Sequence, residues 1–277
     1  RERLYRESEN IIKDYIDGNY TVHLPQSNEG TIYQLLSSVD QLATMLQAKN
    51  DTEQKTKEFL KNTISDISHQ LKTPLSALMM YQEIIENEPE NFETVKEFSL
   101  KIGTALKRME QLIQSMLKIT RIDAGSISFE KSNYSIPNII NHAISELTTR
   151  ADNEKKEIVI DGDLEQMLYC DIEWTGEAII KNALDHTDTG GKISISWEQT
   201  PAMIRIFITD NGHGISQEDI HHIFKRFYRS KNTSESQGIG LGLPLAKAIV
   251  EGQGGILSVQ SERLQGTTFT LSFLTES

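Results

Sequence analysis

Three clusters in the C-terminal half set oxygen donors beside glycines: Asn182, Asp210-Asn211-Gly212-His213-Gly214, and Gly238-Ile239-Gly240-Leu241-Gly242-Leu243. Asp210 ends a predicted strand, where its carboxylate can accept from an exocyclic amine. Gly212 and Gly214 let the backbone approach a flat ring. The second glycine run directly precedes a predicted helix with Pro244 in its first turn, and free N–H groups at a helix start bind phosphate. Asn182, on a helix, offers an amide oxygen to Mg²⁺, which keeps its waters and phosphate ligands. Together the clusters describe a site for a purine nucleotide and Mg²⁺. A dinucleotide fold of the Rossmann kind is disfavoured, because the glycine run follows a loop rather than an early strand. A further cluster, Ser68-His69-Gln70-Leu71-Lys72-Thr73-Pro74, sits in a helical region. There a histidine, with an ordinary pKa of about 6.5, is an available nitrogen nucleophile.

These residues need elements to hold them. Ile32, Leu35, Val39, Leu42 and Leu46 step by 3 and 4, the seam of a coiled coil, after a shorter helical stretch, Leu4 to Tyr15. The connector between them holds Gly18, Pro25 and Gly30. From about Asn50 to Glu86 the pattern stays helical, with Phe59, Ile67, Leu71, Leu75 and Leu78 on one side and Pro74 as an expected kink. After the turn 87–91, Val95, Phe98, Ile102, Leu106, Met109, Ile113, Met116 and Thr120 predict a second helix, ended by Asp123-Ala124-Gly125. A lone helical hairpin leaves an apolar stripe exposed, so a homodimer closing a four-helix bundle is expected. Beyond it, Ile193/Ile195/Trp197, Ile204/Ile206/Ile208 and Phe269/Leu271/Phe273 alternate as strands, with amphipathic helices near 136–152, 173–186 and 243–251. The expected fold is therefore multidomain, α followed by α/β. Its divisions are a helical lead-in over 1–49, the hairpin over 50–125 and an α/β domain over 126–277.

Composition narrows the function. The 277 residues carry 28 Lys and Arg against 40 Asp and Glu, a formal net charge of −12. Such a surface repels phosphate backbones, so no nucleic-acid partner is expected. The single cysteine, Cys170, makes neither an internal disulfide nor a cysteine zinc site, and with Trp174 it is expected in the core. No run approaches 18 apolar residues. The chain starts at Arg1 rather than Met, so a fragment is expected, the cytoplasmic portion of a protein anchored in a bacterial inner or plasma membrane through a preceding segment.

Over nearly its whole length the chain resembles the bacterial two-component sensor histidine kinases. Ile67 to Leu75 resembles their H box, Lys181-Asn182-Ala183 the end of the N box, Asp210 to Gly214 the G1 box, Phe224 to Arg229 the F box and Gly238 to Leu243 the G2 box. Residues 1–49, with Glu29-Gly30 opening the heptad helix, resemble a HAMP module. The resemblance implies a dimerisation and phosphotransfer hairpin followed by an α/β-sandwich ATPase domain of the gyrase, chaperone and histidine-kinase type. It implies that His69 takes the γ-phosphoryl group of ATP and passes it to an aspartate of a response-regulator receiver domain. Thr73, one turn on, matches the position that orients the water dephosphorylating the regulator. Asp210 would bind the adenine amine and Asn182 the Mg²⁺, while Gly238, Gly240, Gly242 and Leu243 shape the phosphate end. Arg226 and Arg229 would approach the γ-phosphate, and residues 230–238 would form an ATP lid.

Two departures stand out. The family places Glu or Asp after the histidine, but Gln70 accepts a hydrogen bond without taking up a proton. Slower autophosphorylation is therefore expected, with Gln70→Glu raising the rate. The N box normally has a second asparagine four residues before Asn182, where this chain has Ala178, and the stretch is three residues short. Three residues are about 300° of helix. Both departures leave open a degenerate kinase that only dephosphorylates its regulator. A gyrase- or chaperone-type clamp would need an acidic base where Ala178 stands, and such clamps lack an H box.

Overall fold

The computed structural model describes residues 2–25, 30–145, 155–183, 190–230 and 239–275, with residue 4 and residues 180–183 described by backbone alone. Its helices and strands follow in order: α1 (Glu2–Ile16), α2 (Thr31–Asn87), α3 (Phe92–Asp123), β1 (Ser132–Ser135), α4 (Ile136–Ser145), β2 (Glu157–Asp161), β3 (Met167–Cys170), α5 (Ile172–Ala183), β4 (Lys192–Gln199), β5 (Met203–Asp210), α6 (Gln217–Ile220), α7 (Gly242–Gly252), β6 (Ile256–Glu262) and β7 (Gly266–Leu274). The chain divides into two compact units, Arg1–Lys72 and Thr73–Ser277.

In the first unit, Ile11 and Tyr15 of α1 pack with Leu24 of the connector and Leu36 and Ala43 of α2. A buried carboxylate anchors the connector. Asp40 accepts from the Tyr15 hydroxyl, from the Leu24 N–H at 3.0 Å and from His23 Nδ1 at 3.2 Å. Burial alone would raise the Asp40 carboxyl, but these partners outweigh it and its pKa falls. Burial and the same bond push the Tyr15 phenol up to about 12. The predicted seam is split: Val39 packs on this cluster and Leu35, Leu42 and Leu46 remain exposed, while Leu36, Asp40 and Ala43 are buried. One chain therefore leaves Leu35, Leu42 and Leu46 of the heptad stripe uncovered.

In the second unit, α2 runs through Pro74 to Asn87, and the ring removes the N–H that the Gln70 carbonyl would otherwise meet. Asn91 caps α3 by accepting from the Thr94 N–H at 3.3 Å. The far end closes in a Schellman turn, with Gly125 at φ 62°, its N–H on the Ile122 carbonyl and the Ser126 N–H on Arg121. The buried stripe of α3 departs from the predicted one along its second half. Leu112, Met116 and Ile119 are buried, while Leu106 and Ile113 are exposed. The cause is the α/β domain, whose helix α7 packs on this end of α3 and selects a neighbouring helix face.

The α/β domain is a five-stranded sheet in the order β2-β4-β5-β7-β6, parallel only between β2 and β4, beside a two-stranded β1-β3 ribbon. All three predicted alternations occur. Ile193, Ile195 and Trp197 of β4, Ile204, Ile206 and Ile208 of β5, and Phe269, Leu271 and Phe273 of β7 are all buried. Ile136, Ile139, Ile140 and Ala143 make the buried stripe of α4, and Leu245, Ile249 and Val250 that of α7. Cys170 is fully buried, its thiol pushed up to about 11 chiefly by burial. Trp174 is half-buried, edge-on to Phe129 at 5.9 Å.

Candidate functional site

Strand β5 delivers Asp210 to the end of the sheet with 3% of its surface exposed. Such a carboxylate needs donors, and it finds the Gly212 N–H at 2.9 Å and the Thr267 N–H. Burial still prevails and raises its pKa. The chain then turns through Gly214, whose φ is 67° and whose added Cβ would stand 2.1 Å from the Glu262 carbonyl oxygen. Glycine is therefore required there on two counts. The loop is tied to the β6–β7 hairpin by Leu264 N–H on the His213 carbonyl at 2.8 Å and Ile215 N–H on Ser261 Oγ at 2.7 Å.

The second glycine run meets the segment 226–229. Phe227 takes a φ of 62° and donates its N–H to the Gly240 carbonyl at 2.8 Å. A Cβ on Gly240 would lie 2.8 Å from the Tyr228 carbonyl oxygen. Gly242 and Leu243 open α7 without a side-chain cap, and their N–H groups precede the first intrahelical bond, Leu245 N–H to the Leu241 carbonyl. N–H groups at a helix start suit an anion. Arg226 forms an ion pair with Asp123 at the end of α3, a contact that nothing in the sequence announced.

Helix α5 ends at Ala183 and contacts β5. The side chain of Asn182, Gly238 and residues 231–238 lie outside the described residues. Ala178, four before Asn182, is buried in the core. Among the described residues no three His, Cys, Asp or Glu side chains gather into a metal site. An amide oxygen with phosphate oxygens and waters fits Mg²⁺ carried on a nucleotide. His69 and Gln70 are exposed on α2 in the first unit, and Thr73 is exposed at the start of the second. The sequence reading missed Thr267, whose backbone N–H has no residue-type signal, and Asp219. Asp219 was legible as the last residue of a Ser216-x-x-Asp219 capping pattern. A cavity of about 600 Å³ lined by Asn133, Asp163, Gln199 and Leu274 lies at the opposite end of β5 and contains none of the candidate residues.

Residues 59–125 match the family described as the His Kinase A (phospho-acceptor) domain. Residues 176–277 match the Histidine kinase-, DNA gyrase B-, and HSP90-like ATPase family. Sensor histidine kinase YvrG of Bacillus subtilis is 29% identical over 247 residues, 87% of this chain and 43% of that protein. Sensor-like histidine kinase SenX3 of Mycobacterium tuberculosis is 28% identical over 214 residues, 76% of this chain and 52% of that protein. The chain thus spans about half the length of these relatives. Histidine kinase ThkA, solved in complex with response regulator protein TrrA, shares the fold with a TM-score of 0.66 at 19% identity, over 82% of this chain and 66% of that one.

Proposed function

Since this chain belongs to the bacterial two-component sensor histidine kinases, we propose that it phosphorylates itself on His69 from ATP and then phosphorylates a response regulator. A ring nitrogen of His69 attacks the γ-phosphorus, the bond to the bridging oxygen breaks, and ADP leaves. The proton on the other ring nitrogen then passes to water, with Gln70 able to orient the ring but not to accept that proton. A carboxylate oxygen of the regulator's aspartate next attacks the phosphorus and the N–P bond breaks. The observation that carries this reading is a pairing within one chain. An exposed histidine stands on a long helix, and a buried carboxylate, Asp210, stands between two glycine turns at a sheet end.

Asp210 holds the adenine amine, Gly240 to Leu243 receive the phosphates, and Arg229, with Arg226, approaches the γ-phosphate. Asn182 would hold Mg²⁺, which neutralises phosphate charge when bound. Thr73, four residues after His69 on α2, orients the water that removes the regulator's phosphate. The hairpin pairs with a second copy, residues 1–49 act as a HAMP-like transmitter, residues 50–125 as the phosphotransfer hairpin and 126–277 as the catalytic domain. A membrane anchor belongs to the parent protein. No described helix is long and apolar enough to cross a membrane.

Incubation with Mg²⁺ and γ-labelled ATP, beside His69→Ala, tests the reading. Acid-labile, alkali-stable label on the wild type alone is expected, and label retained by His69→Ala overturns the assignment. Gln70 and the short N-box stretch around Ala178 favour a second reading, a chain that only dephosphorylates its regulator. Regulator-phosphate decay without self-labelling would select it.

A further inference from the structure

The segment that would meet the γ-phosphate, Phe227–Ser230, is not held by its own helix or strand. Besides the Tyr228 N–H on the Lys225 carbonyl at 3.2 Å, two contacts set its position around Arg229. One is the Phe227 N–H on the Gly240 carbonyl. The other is a single side chain, Asp219 in α6, which accepts from the Tyr228 hydroxyl through Oδ1 and from Ser230 Oγ through Oδ2 at 2.8 Å. Those two donors flank Arg229 on either side. Asp219 is itself fixed: its backbone N–H lies on Ser216 Oγ at 3.2 Å, and that hydroxyl donates to Oδ2 at 2.8 Å. The ring of His222 packs on Tyr228 at 5.5 Å, completing the seat.

We propose that Asp219 is a positioning residue for nucleotide recognition, acting through Tyr228 and Ser230 to set Arg229 at the phosphate end of the site. The inference rests on the kinase reading given above and adds a residue that the motif resemblance does not supply. The geometry is specific: two oxygens of one carboxylate clamp the residues on both sides of one arginine, and Gly240 fixes the chain one residue earlier. The hydroxyl donors also hold the Asp219 carboxyl below its ordinary pKa, with Tyr228 the largest contributor, so the clamp is charged at neutral pH.

The test compares ATP and ADP affinity and the split between KM for ATP and kcat in Asp219→Ala, Asp219→Asn, the double variant Tyr228→Phe/Ser230→Ala and Arg229→Ala. Asp219→Ala is expected to lose the preference for ATP over ADP by roughly tenfold, the scale of a lost charge-assisted bond. ADP affinity should stay near wild type. Asp219→Asn, which keeps an acceptor, should fall between, and the double variant should reproduce the loss while leaving the α6 cap intact. Combining Asp219→Ala with Arg229→Ala should add nothing to Arg229→Ala alone. An unchanged ATP-to-ADP ratio in the double variant, with self-labelling normal, overturns this inference and leaves the kinase reading standing. A wild type that fails to label but loses its ATP preference on Asp219→Ala supports the positioning role and sinks the kinase reading. A wild type that binds neither nucleotide overturns both.

Discussion

Asp210 is held in the place where ionisation is least welcome. Burial raises its pKa above 3.8 against two backbone donors, so the folded chain holds this proton more tightly than the unfolded chain does. The ionised carboxylate therefore opposes folding at neutral pH. Its contribution to stability improves as pH falls through the raised value and levels off below the unfolded value. Asp210→Asn keeps an acceptor for the Gly212 N–H and removes the charge. It is expected to melt higher than wild type at about pH 7.5, to lose that advantage near about pH 4, and to bind adenine nucleotides far more weakly. Paired thermal melts across pH, with nucleotide titration, check all three. Asp210, Gly212 and Gly214 were legible because a strand end, a carboxylate and glycines each leave a mark in the sequence. Thr267 and the Asp219 clamp were not, since one acts through its backbone and the other through partners 9 and 11 residues away.

At the scale of elements, the strands were the most legible part, because period-two alternation survives wherever one face is buried. Helix α3 was half legible. Its periodicity announced a helix, but the face that is buried near its end depends on a neighbour far along the chain. The α/β domain contributes more than apolar contact. Lys118 of α3 binds both carboxylate oxygens of Glu177 on α5 at 2.7 Å, and its ammonium lies 5.6 Å from the Trp174 ring. The Glu177 side chain is 21% exposed, so its solvent screening is partial. Lys118→Met should remove this two-oxygen contact and destabilise the Thr73–Ser277 unit by about 1 kcal/mol. A fall in Tm of roughly 2–4 °C is expected by calorimetry. An unchanged Tm would show that the pair contributes nothing beyond what water supplies.

At the scale of the whole molecule, the leucines that no single chain covers carry the proposed assembly. Leu75 and Met79 on α2 and Leu106 and Ile113 on α3 remain exposed in the second unit, and a pairing of hairpins would bury them. Leu106→Asp is expected to shift the sedimentation of the chain from dimer toward monomer. A wild type that sediments as a monomer at tens of micromolar would remove the four-helix bundle. Fold class and domain order were legible because patterns of period 3.6 give way to patterns of period 2 after residue 125. The packing of α1 on α2 was not, because the buried Leu36, Asp40 and Ala43 lie off the predicted heptad stripe. The lone sulfhydryl of Cys170 has a different consequence. It is sealed inside the α/β domain and held protonated, so an alkylating reagent reaches it only when that domain opens. The unaltered protein thus contains its own clock, in which the rate of thiol capture reads how often the catalytic half breathes and how far a bound nucleotide quiets it.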